Sequence, residues 1–101
     1  MNDAILVNVK YTVKPGKRDE FYKKVAEQGI IEESKAEAGN LKYEYSVSLD
    51  SENVLCLLEL WDSSKSQLLH GKTPHYQRLQ ALKQEYVTNV SIEKYGISEK
   101  L

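Results

Sequence analysis

The side chains of this 101-residue chain that could do chemistry are two histidines, a Glu-x-Trp pair, one asparagine and a group of tyrosines. His70 and His75 are separated by Gly71-Lys72-Thr73-Pro74. A glycine at a helix end, then Thr as N-cap and Pro at the first helical position, break one helix and start another. The spacing therefore predicts His70 at a helix C-terminus and His75 at a helix N-terminus. The helix dipole favours the imidazolium at the first site and the neutral ring at the second, which separates an acid from a base. Each ring could equally serve as a packing residue at a helix end. Glu59 and Trp61 lie two apart in an apolar strand and point the same way. A carboxylate in that setting needs a partner or stays protonated. Its plainer role is to organise a hydrogen-bond network at an interface, with Trp61 as a core anchor or a pocket wall.

Asn8 is polar on a strand face it shares with Leu6, so it either points into a cavity or bonds neighbouring backbone. Tyr22, Tyr43, Tyr45 and Tyr76 could line a pocket for a flat ring, or pack as sheet aromatics usually do. Cys56, the single cysteine, reads as a buried, inert thiol that forms no internal disulfide and fits a reducing compartment. One Cys and two His do not make a structural zinc site, and no metal ligand set is predicted. There is no phosphate-binding glycine loop, no Ser-centred elbow and no nucleotide fingerprint, so an enzyme built on this chain works without a nicotinamide or flavin domain.

The elements that position these residues follow from periodicity. Ile5, Val7, Val9, Tyr11 and Val13 alternate with Leu6, Asn8, Lys10 and Thr12, which is a strand with one apolar face. Pro15-Gly16 stops it. Phe21, Val25 and Ile31 in a charged background predict one helix reaching Ala38, bent or weakened at Gly29, with Gly39-Asn40 supplying left-handed or turn geometry at its end. A second strand runs from Leu41 to Leu49, turns at Asp50-Ser51-Glu52-Asn53, and pairs with an almost wholly apolar third strand, Val54 to Trp61. The broken helix follows. Its second piece places His75, Leu79, Leu82 and Tyr86 on one stripe, and Val87 to Tyr95 makes a fourth strand.

This order predicts an α+β chain of the ferredoxin-like, split β-α-β class, with a four-stranded antiparallel sheet and helices on one face. One domain spans 1–96, and 97–101 forms a C-terminal tail. The third strand is apolar on both faces, while helices cover only one. A second copy stacked sheet to sheet is the expected cover, so a homodimer is predicted.

The charge balance, 14 basic against 15 acidic residues for a net −1, leaves no basic field for nucleic acid or an anionic membrane surface. The 41% hydrophobic and 29% charged composition is that of a globular domain, and roughly 100 residues support one core and not two. No apolar run approaches the roughly 20 residues of a membrane span, and Met1-Asn2-Asp3 lacks a signal-type basic start. A cytoplasmic location is expected.

Lys14-Pro15-Gly16 with Phe21, Ala38-Gly39-Asn40-Leu41, Glu59-Leu60-Trp61 and the run Leu69 to Tyr76 together resemble the antibiotic-biosynthesis monooxygenase domains, which are small dimeric α+β barrels. The resemblance covers about Ile5 to Tyr95. It implies a pocket between sheet and helices, and oxygenation of a hydroxylated aromatic or quinol by O2 without metal or prosthetic group. His75 or His70 would be the base, Asn8 and Trp61 would orient substrate or peroxide, and Glu59 would support them. Glu59-Leu60-Trp61 and Thr73-Pro74-His75 are similar to the quinol monooxygenase branch. Gly39-Asn40-Leu41 and His70 to Tyr76 are similar to the phospho-autoinducer-2 isomerase branch, which would need a cationic clamp from Lys10, Lys42, Lys72 or Arg78. Asn8, Trp61 and a histidine could match the haem-degrading branch. A dimeric ligand-binding or stress-response module without turnover is the non-enzymatic alternative.

Overall fold

A computed structural model describes residues 3–98. Its elements are β1 (Ala4–Val13), α1 (Arg18–Glu27), α2 (Ile30–Lys35), β2 (Asn40–Val47), β3 (Val54–Trp61), α3 (Ser64–His70), α4 (Pro74–Tyr86) and β4 (Val87–Ile97). The strands form one antiparallel sheet in the order β2-β3-β1-β4, the ferredoxin-like arrangement. Among the described residues, no helix is long and apolar enough to cross a membrane.

Strand alternation builds the core. Val7, Val9, Tyr11 and Val13 of β1 and Leu55, Leu57 and Trp61 of β3 point to the helical side. There they meet Phe21 and Val25 of α1, Ile30 of α2, and Leu79, Leu82 and Tyr86 of α4. Phe21 is held between Tyr11, edge-on at 5.8 Å, and Tyr86 at 5.6 Å. The other residues of β3, Cys56, Leu58 and Leu60, lie half-buried on the face that no helix covers. Cys56 is thus not the fully buried thiol expected from its apolar strand.

Several expectations from periodicity are corrected. The single helix up to Ala38 is two helices, because Gly29 adopts φ +74°, a left-handed conformation that glycine takes without steric cost. That break resets the helical phase, so Ile30 rather than Ile31 is fully buried. The second strand ends at Val47. Leu49 lies in a turn fastened by Ser48 Oγ, which accepts from Asp50 N–H at 3.1 Å, and Ser51 Oγ, which accepts from Asn53 N–H at 3.2 Å. A register shift between Asn40 and Lys42 turns Leu41 outward. β4 continues through Gly96 and Ile97, which pair with Ile5 and Ala4, so the expected tail does not start at either residue. Residues 99–101 of that tail lie outside the described residues.

Gly39 acts differently from the expected left-handed stop, since among the described glycines only Gly16 and Gly29 have positive φ. Its role is close approach. A Cβ at Gly39 would lie 2.1 Å from Ser66 Oγ and 2.7 Å from Asp62 Oδ1. Asp62 N–H donates to the Gly39 carbonyl at 2.9 Å, and Ser66 Oγ donates to Asp62 Oδ1 at 2.5 Å. The turn that follows α2 is thereby clamped to the start of α3. Gly39→Ala is expected to lower the unfolding free energy by about 2 kcal/mol through overpacking. Combining it with Ser66→Gly, which removes the obstructing side chain, should recover part of the loss in urea denaturation.

Candidate functional site

The two histidines are brought together by helix-end chemistry. Ser63 caps α3, its Oγ accepting from Ser66 N–H at 3.2 Å, and the helix ends at His70. Gly71, the glycine expected at the helix end, stays in the right-handed region, φ −65°, so the reversal is not made by a left-handed glycine. Thr73 makes it instead. Its Oγ1 donates to the His70 carbonyl at 2.8 Å and accepts from Tyr76 N–H at 3.2 Å, joining the end of α3 to the N-terminus of α4. The imidazole centroids of His70 and His75 are then 5.6 Å apart, and both rings are buried.

Glu37 lies between them. It belongs to the turn after α2 that Gly39 clamps to α3, and its Oε2 is 2.5 Å from His70 Nδ1 and 2.8 Å from His75 Nε2. Its side chain is 16% exposed, against 3% for His70 and 8% for His75. One carboxylate oxygen therefore serves two imidazole nitrogens in a largely dehydrated place. Sequence reasoning missed Glu37. Its one available signal is its position just before Ala38-Gly39-Asn40, a segment singled out for other reasons.

Aromatic rings surround His70: Trp61 at 4.8 Å, Tyr76 edge-on at 5.2 Å and Tyr43 edge-on at 5.8 Å. Trp61 Nε1 donates to Glu59 Oε1 at 3.0 Å, which gives that buried carboxylate the partner its strand position demands. Burial still raises the Glu59 pKa, while the Trp61 hydrogen bond and the charge of His70 pull it back. Burial, followed by the Glu59 charge, pushes Tyr43 up to about 12 and raises Tyr76. Tyr11 and Tyr45 are raised as well, again chiefly by burial. These phenols stay neutral at physiological pH and can act as hydrogen-bond donors, not as bases. Tyr43 and Tyr45 have buried hydroxyls without a well-formed hydrogen bond.

The remaining predicted residues divide cleanly. Tyr43 and Tyr76 reach His70, whereas Tyr45 packs on Tyr43 at 5.8 Å and Tyr22 on Tyr45 at 5.7 Å, a chain of rings leading outward. Tyr22 borders a separate cavity of about 130 Å³ with Arg18, Tyr45, Val47 and Leu55. Asn8 is not at this site. It sits across from Leu58 on the uncovered sheet face, where its Nδ2 donates to Glu93 Oε1 at 3.2 Å. Trp61 points to the helical side, so the Asn, Trp and His grouping of the haem-degrading branch does not assemble within the chain. Nor does a phosphate clamp form. Lys10, Lys42 and Lys72 are exposed, and Arg78 is engaged with Glu33 and the Gln28 carbonyl.

Residues 4–82 match the family described as antibiotic biosynthesis monooxygenase. The chain belongs to that family. A curated relative, the "Putative monooxygenase YcnE" of Bacillus subtilis, is 33% identical over 73 residues, covering 72% of this chain and 75% of the relative. Among solved structures, a conserved protein from Methanosarcina mazei is similar with a TM-score of 0.84 and 29% identity, over 95% of this chain and 94% of its own. The "putative antibiotic biosynthesis monooxygenase" of Caulobacter crescentus is similar with a TM-score of 0.85 and 27% identity, over 97% of this chain and 92% of its own. Family membership and these relatives support a monooxygenase-like function and the α+β, ferredoxin-like fold. Of the segments that carry the resemblance in sequence, Glu59-Leu60-Trp61 and the run Leu69 to Tyr76 contribute to the site, and Ala38-Gly39-Asn40-Leu41 follows directly on Glu37.

The raised pKa of Glu59 has a consequence for stability. Between its ordinary value of 4.5 and its folded value, the folded protein holds a proton that the unfolded chain has lost. Glu59 thus contributes most stability below that ordinary value and loses the contribution as pH rises through the folded pKa. Glu59→Gln keeps an acceptor for Trp61 Nε1 and cannot ionise. The difference in unfolding free energy between wild type and this variant should move in favour of the variant as pH is raised above 4.5, checked by urea titrations across the acidic range.

Proposed function

We propose that this family member is a monooxygenase for a small hydroxylated aromatic or quinol, with the His70, Glu37 and His75 cluster as its proton-handling centre. The observation that carries this reading is the single Glu37 oxygen in reach of both imidazoles, with Trp61, Tyr43 and Tyr76 packed on His70. A flat ring entering beside the Glu37 turn would find aromatic walls and an imidazole to take its hydroxyl proton. His75, at the more exposed end of the pair, is assigned as the base. Glu37 holds the imidazolium that results, and neutral Tyr76 and Tyr43 are the donors nearest a developing oxyanion.

The electrons come from the substrate. Its phenolate gives them to O2, a ring carbon forms a C–O bond as a hydroperoxide, and loss of that carbon's hydrogen with cleavage of the O–O bond yields a ring carbonyl and one water. Oxygen uptake with a dihydroxynaphthalene should exceed autoxidation. His75→Ala should lower it by about a hundredfold or more, the usual scale for loss of a general base. Uptake equal to autoxidation across a panel of dihydroxynaphthalenes and other quinols would overturn the reading.

A homodimer belongs to the same proposal. Leu58 and Leu60, with Leu6 next to Leu60 and Tyr95 beyond Leu6 at 49% exposure, form an apolar strip on the face without helices, and a second copy is the symmetric way to cover it. A cytoplasmic setting suits the lone thiol of Cys56. Leu58→Asp should convert a dimer into a monomer in analytical ultracentrifugation. A wild-type chain that sediments as a monomer would remove this part of the proposal and leave the oxygenase reading to its own test.

A further inference from the structure

Glu37 Oε2, His70 Nδ1 and His75 Nε2 all lie within 4.8 Å of one another. They come from three separate places: the turn after α2, the last residue of α3 and the second residue of α4. Each also has support beyond the Glu37 hydrogen bonds. The Gly39, Asp62 and Ser66 contact fixes the turn of Glu37, stacking on Trp61 fixes the His70 ring, and Thr73 fixes the junction that sets His75. Such support is what a metal site requires of the residues behind its ligands.

The donor set and its spacing identify the ligand class. Two imidazole nitrogens and one carboxylate oxygen, without thiolate, suit a divalent first-row transition ion such as Zn2+, Co2+ or Fe2+, and suit Ca2+ or Mg2+ poorly. With metal–ligand bonds of about 2.05 Å, adjacent donors around an octahedral ion are about 2.9 Å apart. The two carboxylate–imidazole distances, 2.5 and 2.8 Å, are near that spacing, and an ion entering the centre has to draw the two imidazole nitrogens, which lie within 4.8 Å of each other, to about 4.1 Å or less. Charge points the same way. Among the described residues Glu37 has no Lys or Arg partner, and the buried Glu59 carboxylate lies close enough for the two acids to feel each other. One carboxylate bonded to two imidazoles, with a second acid nearby, is a setting that added positive charge stabilises.

We propose that Glu37, His70 and His75 form a binding site for one divalent transition-metal ion per chain. Three protein ligands leave coordination positions open to water or to an anionic oxygen, the pattern of a reactive site and not of a closed structural one. The inference does not need the oxygenase reading, and the two exclude each other at any one moment: with an ion on His75 Nε2 the other ring nitrogen carries the proton and the imidazole is no longer a base.

The test uses untagged, chelator-treated, dialysed full-length protein, so that His70 and His75 are the only histidines present. Titration with Co2+ or Zn2+ should show one ion per chain by calorimetry. Bound Co2+ should give ligand-field absorption that Zn2+ abolishes. Glu37→Gln and His75→Ala should each weaken binding by at least about tenfold, and Cys56→Ser should leave it unchanged. If a variant fails to fold by circular dichroism, the wild type decides alone, because Zn2+ must then shift the imidazole NMR signals of both histidines. Absence of a stoichiometric ion on the folded wild type, unchanged binding in both folded ligand variants, or imidazole signals indifferent to Zn2+ would overturn the site. Binding is read without oxygen or organic substrate, so its failure and a failure of oxygen uptake are separate results.

Discussion

A carboxylate oxygen shared by two imidazoles is the interaction on which the rest of the site depends. Glu37 is too dehydrated for water to satisfy it fully, and each histidine is too buried to leave its polar nitrogen without a partner. The three groups therefore hold one another. Each distance is that of a strong hydrogen bond, and the geometry they fix can carry a proton or a cation. Trp61 and Tyr43 press on His70 from the sheet, and Tyr76 from α4, so the ring has little freedom to turn away.

Behind this cluster lies a second layer that sets its electrical character. Glu59 sits on an apolar strand with the Trp61 indole, among the described residues, as its one hydrogen-bond donor, and it raises the pKa of Tyr43 and Tyr76 as burial does. Cations are few here. Lys83 is partly buried beside Tyr11, its pKa lowered by burial and supported by Glu59, and Lys94 supports Glu59 in turn. The interior is thus rich in acceptors and neutral donors, and it favours species that bring positive charge or a removable proton.

The two faces of the sheet divide the labour. Odd-numbered residues of β1 and β3 form the core and the floor of the site, while the even-numbered ones form a face with Leu58, Leu60 and the Asn8–Glu93 pair. Asn8 illustrates the limit of reading polarity alone. Alternation shows that it opposes Val7 and Val9, but its placement in a pocket required the helices to lie on its side, and they pack on the other because that side carries the larger continuous apolar surface.

Local pattern was sufficient for much of the protein. The strand and helix order, the break between His70 and His75, the shared stripe of His75, Leu79, Leu82 and Tyr86, and the common direction of Glu59 and Trp61 all follow from periods of 2 and 3.6 and from the capping chemistry of Ser63, Thr73 and Pro74. What the amino-acid order could not disclose is anything that depends on contact between distant segments. Glu37 is one exposed-looking acid in a run of charged residues until Gly39, lacking a Cβ, lets its turn sit against Asp62 and Ser66 more than twenty positions away. The short-range code determined which residues share a face and where helices start and stop. Only the packing of α2, α3 and α4 over one face of the sheet decided that a carboxylate meets two imidazoles, because that meeting is set by the closest distance at which three backbones can approach.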